Sequence, residues 1–326
     1  MSANPYYSGP RSDHFDGERF FSPDGAPMDR GIGDLLRWRF AGRHAPWSKQ
    51  LPAEPPDRPP ARAAGLRIAH VGHASLLLQA DGLNILLDPV WSERVSPFRF
   101  AGPKRHDPPG IAFADLPPID VVLITHSHYD HLDLDTIARL WRAHRPRILA
   151  PLGNDAVIRR RHPAIEVTTR DWGEAVELGG RVAATLVPAN HWSARSLGDR
   201  RMALWCGYVL ETPAGRIYLA GDSGYGTGAV FRGIRERHGA PRLAVLPIGA
   251  FEPRWFMQPQ HMNPAEAVQA MRDCGAETAL GYHWGTFRLT DEAREEPPRQ
   301  LEAALQAAGI APERFRPLRP GMVWTA

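Results

Sequence analysis

Cysteine is nearly absent from this chain of 326 residues: Cys206 and Cys274 stand alone, with no CxxC pair. That excludes a disulfide-stapled scaffold and a cysteine-ligated zinc finger, and it fits a reducing, cytoplasmic compartment. Long apolar runs are missing too. Stretches such as Val121–Ile124 fall far short of the roughly 20 residues a membrane-spanning helix needs. The opening MSANPYYSGPRSDHFDGERFF has no basic segment followed by an apolar one, so it does not read as a secretory signal. Peripheral contact with the inner membrane face stays open. A large charge of one sign is also lacking, since 39 Lys+Arg against 36 Asp+Glu leave +3. The cations, nearly all arginine, are scattered along the chain, which argues against a nucleic-acid partner. What the chain does have is 43% apolar residues, enough to bury a core and exclude wholesale disorder.

Residues 1–65 differ from the rest. They are rich in Pro, Gly, Arg and aromatics, and proline at this density opposes regular helix or central strand. Six aromatics (Phe15, Phe20, Phe21, Trp38, Phe40 and Trp47) are too many for a solvated linker. The expectation is an irregular arm packed on a body spanning 66–326, with no apolar surface of its own for docking on a bilayer. From Leu66 the pattern becomes regular. LRIAHVGHASLLLQADGLNILLDPVW reads as three strands, with Asp81-Gly82 as a hairpin turn. IDVVLIT reads as a strand buried on both faces, followed by a helix over 134–144 and a strand over 147–150. Further strands are expected over 181–188, 203–211, 216–220 and 243–247, and helices over 228–238, 264–274 and 292–308. Strands in groups with helices between them indicate a layered α/β (α+β) class.

The chemistry is concentrated in T-H-S-H-Y-D-H, residues 125–131, directly after the buried strand. Side chains alternate in extended chain, so His126 and His128 point to one side. Asp130 and His131 join them only if the chain turns, which the helix just downstream supplies. Three imidazoles and a carboxylate within six residues suit two adjacent divalent cations, zinc first, with iron or manganese open. Four donors do not complete two coordination spheres. His191, Asp222 and His283 each follow an expected strand and would complete them.

HxHxDH followed by His, Asp and His at later strand ends resembles the metallo-β-lactamase superfamily. That resemblance implies a four-layer αββα sandwich. It also implies that His126, His128 and His191 hold one metal, that Asp130, His131 and His283 hold the second, and that Asp222 bridges them. Asp88, in LLDP, matches the family's supporting aspartate. GHAS at 72–75, LLDPVWSERVSPF at 86–98, GPKR at 102–105, PANHWSAR, GDSGY, PIGAFEPRWFM, QHMNPAEAV and HWGTF resemble, more narrowly, the N-acyl-phosphatidylethanolamine-hydrolysing phospholipase D branch and its bacterial relatives. The implied reaction is phosphodiester hydrolysis, with hydroxide held by the metals attacking phosphorus. A homodimer is what the family analogy allows.

Asp130 and Asp222 are then expected in the catalytic centre, and His261 as general acid or phosphate donor. Gln260 is a candidate phosphate contact. Phe251, Trp255, Phe256 and Met257 form a candidate apolar lip for an acyl group, with Pro253 arguing against a helix there. His73 and Asp88 are expected to orient the ligands. The same metals can polarise a carbonyl, so a lactonase or amide hydrolase is the alternative. A nuclease should add a basic groove, which the sequence does not display, and a non-catalytic relative should lack ligands, of which none is missing.

Overall fold

A computed structural model describes residues 4–22, 30–41, 45–47 and 54–326; the remaining parts of the arm lie outside the described residues. Two seven-stranded sheets form the centre. The first contains β1 (Arg67–Gly72), β2 (Ser75–Ala80), β3 (Leu83–Leu87), β4 (Val121–Leu123), β5 (Arg147–Pro151), β6 (Thr168–Arg170) and the last strand, β14 (Val323–Thr325). Its order is β14-β1-β2-β3-β4-β5-β6. The second contains β7 (Ala175–Gly179), β8 (Val182–Val187), β9 (Gly207–Glu211), β10 (Ile217–Leu219), β11 (Leu243–Pro247), β12 (Thr278–Tyr282) and β13 (Phe315–Pro317), in the order β13-β12-β11-β10-β9-β8-β7. Each sheet is antiparallel in its hairpin half and parallel in the half served by helices.

The period of two along the strands sorts side chains between layers. Leu76 and Leu78 of β2 meet Leu186, Tyr208, Leu219 and Val245 of the opposite sheet. Leu77 points the other way, into a layer with Ile137, Leu140, Val157 and Ile158. Those residues belong to α2 (Leu134–His144) and α3 (Asn154–Arg161). On the far side α4 (Ala229–His238), α6 (Pro264–Cys274) and α7 (Glu296–Ala308) cover the second sheet through Phe231, Ala267, Met271 and Leu301. The result is the four-layer αββα sandwich. Cys206 and Cys274 are both free and buried. No helix among the described residues is long and apolar enough to cross a membrane.

Three helices depart from expectation, α3 being one of them. Ile32–Ala41 of the arm forms α1, in a run free of proline. Arg254–Met257 forms a one-turn α5. Pro253 is its cap residue, so the ring sits where no intrahelical N–H is needed and starts the turn instead of preventing it. α7 begins at Glu296 rather than 292 because Pro297 and Pro298 are tolerated only in a first turn, where no intrahelical N–H is needed; ahead of the helix lies the Glu292 carboxylate. It accepts from Ala250 N at 2.6 Å and Glu252 N at 3.1 Å.

The described arm lies on the body. Phe15 and Phe20 are buried against Ala189, Leu204 and Trp205. Asn4 donates to Met202 O at 2.9 Å, and Phe20 N to Arg201 O at 2.7 Å. Phe40, by contrast, is 82% exposed, and Leu35 and Leu36 beside it are exposed as well. The arm therefore does carry apolar surface, on α1.

His14 is buried with Nε2 2.8 Å from Asp171 Oδ1. Burial alone would lower its pKa; the carboxylates of Asp171 and Asp13 outweigh that and raise it. A raised folded pKa stabilises fully below the unfolded value of about 6.5, and the benefit fades as pH rises through the folded value. His14→Ala should therefore lower Tm more near pH 6 than near pH 9, as thermal melts at the two pH values will read; equal losses would rule out this charge-dependent tether.

Candidate metal centre

β4 ends at Leu123 and the chain then enters the histidine segment. It turns at once: His131 N and Leu132 N both donate to His128 O, at 3.1 and 2.8 Å. That turn brings Asp130 and His131 to the same side as His126 and His128. His191 arrives after β8, Asp222 after β10 and His283 after β12. Gly221 permits the approach of Asp222. Its φ is 66°, and a Cβ there would lie 2.8 Å from Cys206 O.

The donors form two adjoining groups. His128 Nδ1 lies 2.9 Å from His126 Nε2 and 3.2 Å from His191 Nε2. His131 Nε2 and His283 Nε2 face each other at 3.1 Å, and Asp130 Oδ2 lies 3.6 and 3.4 Å from them. Asp222 sits between the groups. Its Oδ2 is 3.1 Å from His131 Nε2, 3.7 Å from His191 Nε2 and 4.0 Å from His126 Nε2, while Oδ1 is 3.2 Å from His283 Nε2. The structure thus gathers all seven residues that the sequence singled out as ligands.

Supporting contacts fix which nitrogen faces inward. Asp88 Oδ2 is 2.7 Å from His131 Nδ1 and accepts from Thr125 Oγ1 at 2.6 Å; Asp88 Oδ1 accepts from Thr125 N at 2.7 Å. His191 Nδ1 is 3.1 Å from the Gln260 carbonyl. His73 Nε2 meets Asp130 Oδ2 at 2.9 Å. His73, Asp88 and His283 all have positive φ, of 54°, 39° and 64°. Left-handed backbone at such residues costs about 1–3 kcal/mol each, and the packing around a site must hold it. Thr125 and Trp192 escaped the sequence reading. Thr125 links Asp88 to His126 Nδ1 at 2.9 Å, and the Trp192 ring lies 4.6 Å from that of His128. Adjacency to His126 and His191 was the signal available for both.

Electrostatics fit a cation. Burial holds His126 and His191 well below the usual imidazole range and brings His128 down to about 4, so these rings are neutral, as ligands must be. For His131 and His283 burial acts in the same sense, but Asp222 and Asp130 override it. His131 is raised well above its ordinary value and His283 to about 9. Asp222 and Asp130 are held low despite burial, chiefly by His131. The Asp222 and Asp130 carboxylates thus favour positive charge at this end of the cluster, which is what metal ions would supply. The donor spacing agrees: ligands about 2.0–2.1 Å from a tetrahedral zinc lie about 3.3 Å apart. Asp222 Oδ1 makes no well-directed hydrogen bond. The residues present fit divalent metal ions.

The other candidates fall beside this cluster. His261 Nδ1 is buried without a hydrogen-bond partner, 4.0 Å from Asp222 Oδ2. Gln260 is buried, accepts from Trp192 Nε1, and points its amide at Met257 Sδ, 3.4 Å away. Phe251, Phe256 and Met257 are buried, which places them in packing, while Trp255 is 38% exposed. Of the four lip residues, Trp255 presents a substantial open face. Arg254 holds Glu266 at 2.7 and 2.9 Å and donates to His261 O at 2.9 Å.

A family model described as a beta-lactamase superfamily domain matches residues 83–284, most of the span that carries these donors. The chain belongs to the metallo-β-lactamase superfamily. It is 36% identical over 274 residues to N-acyl-phosphatidylethanolamine-hydrolyzing phospholipase D 1 of Caenorhabditis elegans, covering 81% of this chain and 76% of that one. It is 31% identical over 241 residues to a metal-dependent hydrolase of Methanopyrus kandleri, covering 73% and 92%. Among solved structures, the metallo hydrolase Igni18 of Ignicoccus hospitalis aligns with a TM-score of 0.59 at 20% identity, over 80% of this chain and 98% of that one. This superfamily member is a metal-dependent hydrolase whose His/Asp cluster can bind metal ions.

Because Asp88 holds His131 Nδ1 at 2.7 Å, closer than Thr125 Oγ1 at 3.4 Å, Asp88→Asn should cost about 10–100-fold in metal affinity. Competition with a zinc chelator measures it; unchanged affinity would remove Asp88 from its orienting role.

Proposed function

We propose that the protein is a dinuclear zinc phosphodiesterase of the phospholipase D type, acting on N-acyl-phosphatidylethanolamine-like phospholipids. Hydrolysis would form a bond from water oxygen to phosphorus and break the bond from phosphorus to the ethanolamine oxygen. The products are an N-acylethanolamine and phosphatidic acid, with the departing oxygen taking up a proton. The relative from Caenorhabditis elegans supports the reaction class. The observation that carries the lipid reading is the apolar face beside the donor cluster. Trp38 of α1 stacks on Phe256 at 5.0 Å, and Arg37 lies over the Trp255 ring at 4.8 Å. α1 is thereby seated on α5 with Leu35, Leu36 and Phe40 exposed. The same α5 leads straight to His261, whose N–H donates to Met257 O at 2.9 Å. A bilayer-borne substrate would approach over this face, which supports peripheral contact with a membrane.

Two divalent ions, when bound, lower the pKa of water and offset negative charge on a phosphoryl group. His126, His128 and His191 would hold one, and Asp130, His131 and His283 the other, with Asp222 shared. Asp88 and the Gln260 carbonyl keep the inner nitrogens of His131 and His191 aimed, and His73 holds the Asp130 carboxylate. His261, brought down to about 4 mainly by burial, is neutral at pH 7. Its ring therefore suits hydrogen bonding to a phosphoryl or leaving oxygen better than donation as an imidazolium.

Asp222→Asn and His128→Ala should each abolish turnover of bis-p-nitrophenyl phosphate and of the phospholipid. Near-native activity in either variant, after metal depletion, would falsify the dinuclear reading. His261→Ala should slow the reaction about 10²–10³-fold, as for loss of one hydrogen-bond donor, with zinc content unchanged; elemental analysis showing lost zinc would move His261 into the coordination sphere. Leu36→Asp with Phe40→Asp should raise KM for vesicle-borne phospholipid and leave kcat/KM for bis-p-nitrophenyl phosphate unaltered. Equal effects on both substrates would remove α1 from lipid capture.

A further inference from the structure

The molecule has a second concave site. A cleft of about 900 Å³ opens between α2, α3 and the loop of residues 92–99, with Tyr129 and Leu132 on its wall. None of the seven metal donors lines it. Arg94, Arg139, Arg142, Arg160 and Arg195 do, from four separate stretches of chain.

Their counter-ions are few. Asp135 is occupied by Arg99 at 2.7 Å and Arg161 at 3.2 Å, and Glu93 by Lys104 at 2.8 Å. Asp133 is used by backbone, accepting at Oδ1 from Asp135 N at 3.1 Å and at Oδ2 from Ser92 N at 2.9 Å. Among the described residues Arg94, Arg139, Arg160 and Arg195 meet aromatic rings and carbonyls, with Asp133 and Asp199 near enough to act on Arg195. Arg139 lies over Phe113 at 3.8 Å, Arg160 over Tyr6 at 4.9 Å and Arg195 over Tyr129 at 3.7 Å. Arg94 donates to Gly102 O at 2.6 Å. His162, also on the cleft wall, has a buried Nε2 with no hydrogen-bond partner.

We infer that this cleft binds a phosphate-bearing anion, as a free phosphoester or as a phosphorylated lipid headgroup. Five guanidinium groups facing one space repel each other, and an anion of high charge density relieves them together. The planar fork of arginine matches phosphate oxygens two at a time, and a single carboxylate would satisfy one arginine and leave the rest. The volume suits a small molecule, not a length of nucleic acid. Arg195 also reaches the other side. It donates to Ser127 O at 3.0 Å and Leu132 O at 2.7 Å, backbone that flanks the metal-binding turn. The inference stands whether or not the proposed phospholipid substrate is right.

The test is calorimetric titration of the full-length protein with pyrophosphate, beside sedimentation with phosphatidylcholine vesicles with and without phosphatidic acid. Arg142→Glu with Arg160→Glu places two reversals on exposed helix positions and should weaken binding at least about tenfold. Arg272→Glu with Arg316→Glu, equal in charge change but remote from the cleft, should bind as wild type does. So should His128→Ala, which separates this cleft from the metal centre. Pyrophosphate binding lost in the cleft variant alone establishes a site for free phosphoesters; loss confined to phosphatidic-acid vesicles assigns the headgroup. Retained affinity in the cleft variant, equal loss in the remote variant, loss in His128→Ala, or tighter length-dependent binding of an oligonucleotide would each overturn the inference.

Discussion

The Asp222 carboxylate is the group on which the arrangement turns. It is buried at the junction of the two sheets, within 4.0 Å of four imidazole nitrogens of the donor set. A lone buried carboxylate is strongly disfavoured and would neutralise itself. Here the neighbouring His131 and His283 hold its pKa well below the usual carboxylate range despite burial. Remove that carboxylate and the two donor groups lose the group that faces both. His261, whose ring lies 4.0 Å from this carboxylate, connects it to α5 through its backbone bond to Met257 O.

Strain collects around this point. His73, Asp88 and His283 adopt left-handed backbone with ordinary side chains, where glycine would be relaxed. Each is anchored by a contact that glycine could not make: His73 to Asp130, Asp88 to Thr125, His283 to Asp222. The packed sandwich beneath them holds these conformations in place, which ties the depth of the core to the precision of the rim.

The donors were legible because each follows a run of apolar residues that only a buried strand explains, as TALGY precedes His283 and RIYLAG precedes Asp222. The layered class was legible for the same reason. β6 and β7 were not, because TTR and AVELG sit at a sheet end with Leu178 alone fully buried and show little apolar signal. α1 was hidden by the prolines flanking it, and α5 by reading Pro253 as a helix breaker when it stands at the helix start. The arginine cleft left no linear trace. Arg94, Arg139, Arg160 and Arg195 are scattered in the chain and become neighbours only when α2 and α3 pack beside the loop at 92–99.

The ligand set is divided between the two halves of the sandwich. His126, His128, Asp130 and His131 ride on the first sheet, and His191, Asp222 and His283 on the second. No disulfide joins these halves, because both cysteines are free. Whatever cations fill the centre therefore act as a rivet across the seam, replacing the covalent staple this chain never acquired. Demetallation would remove that rivet and leave the seam to its apolar filling and to direct bonds such as Cys206 N to Thr125 O at 2.9 Å and Tyr208 Oη to Ile124 O at 2.7 Å.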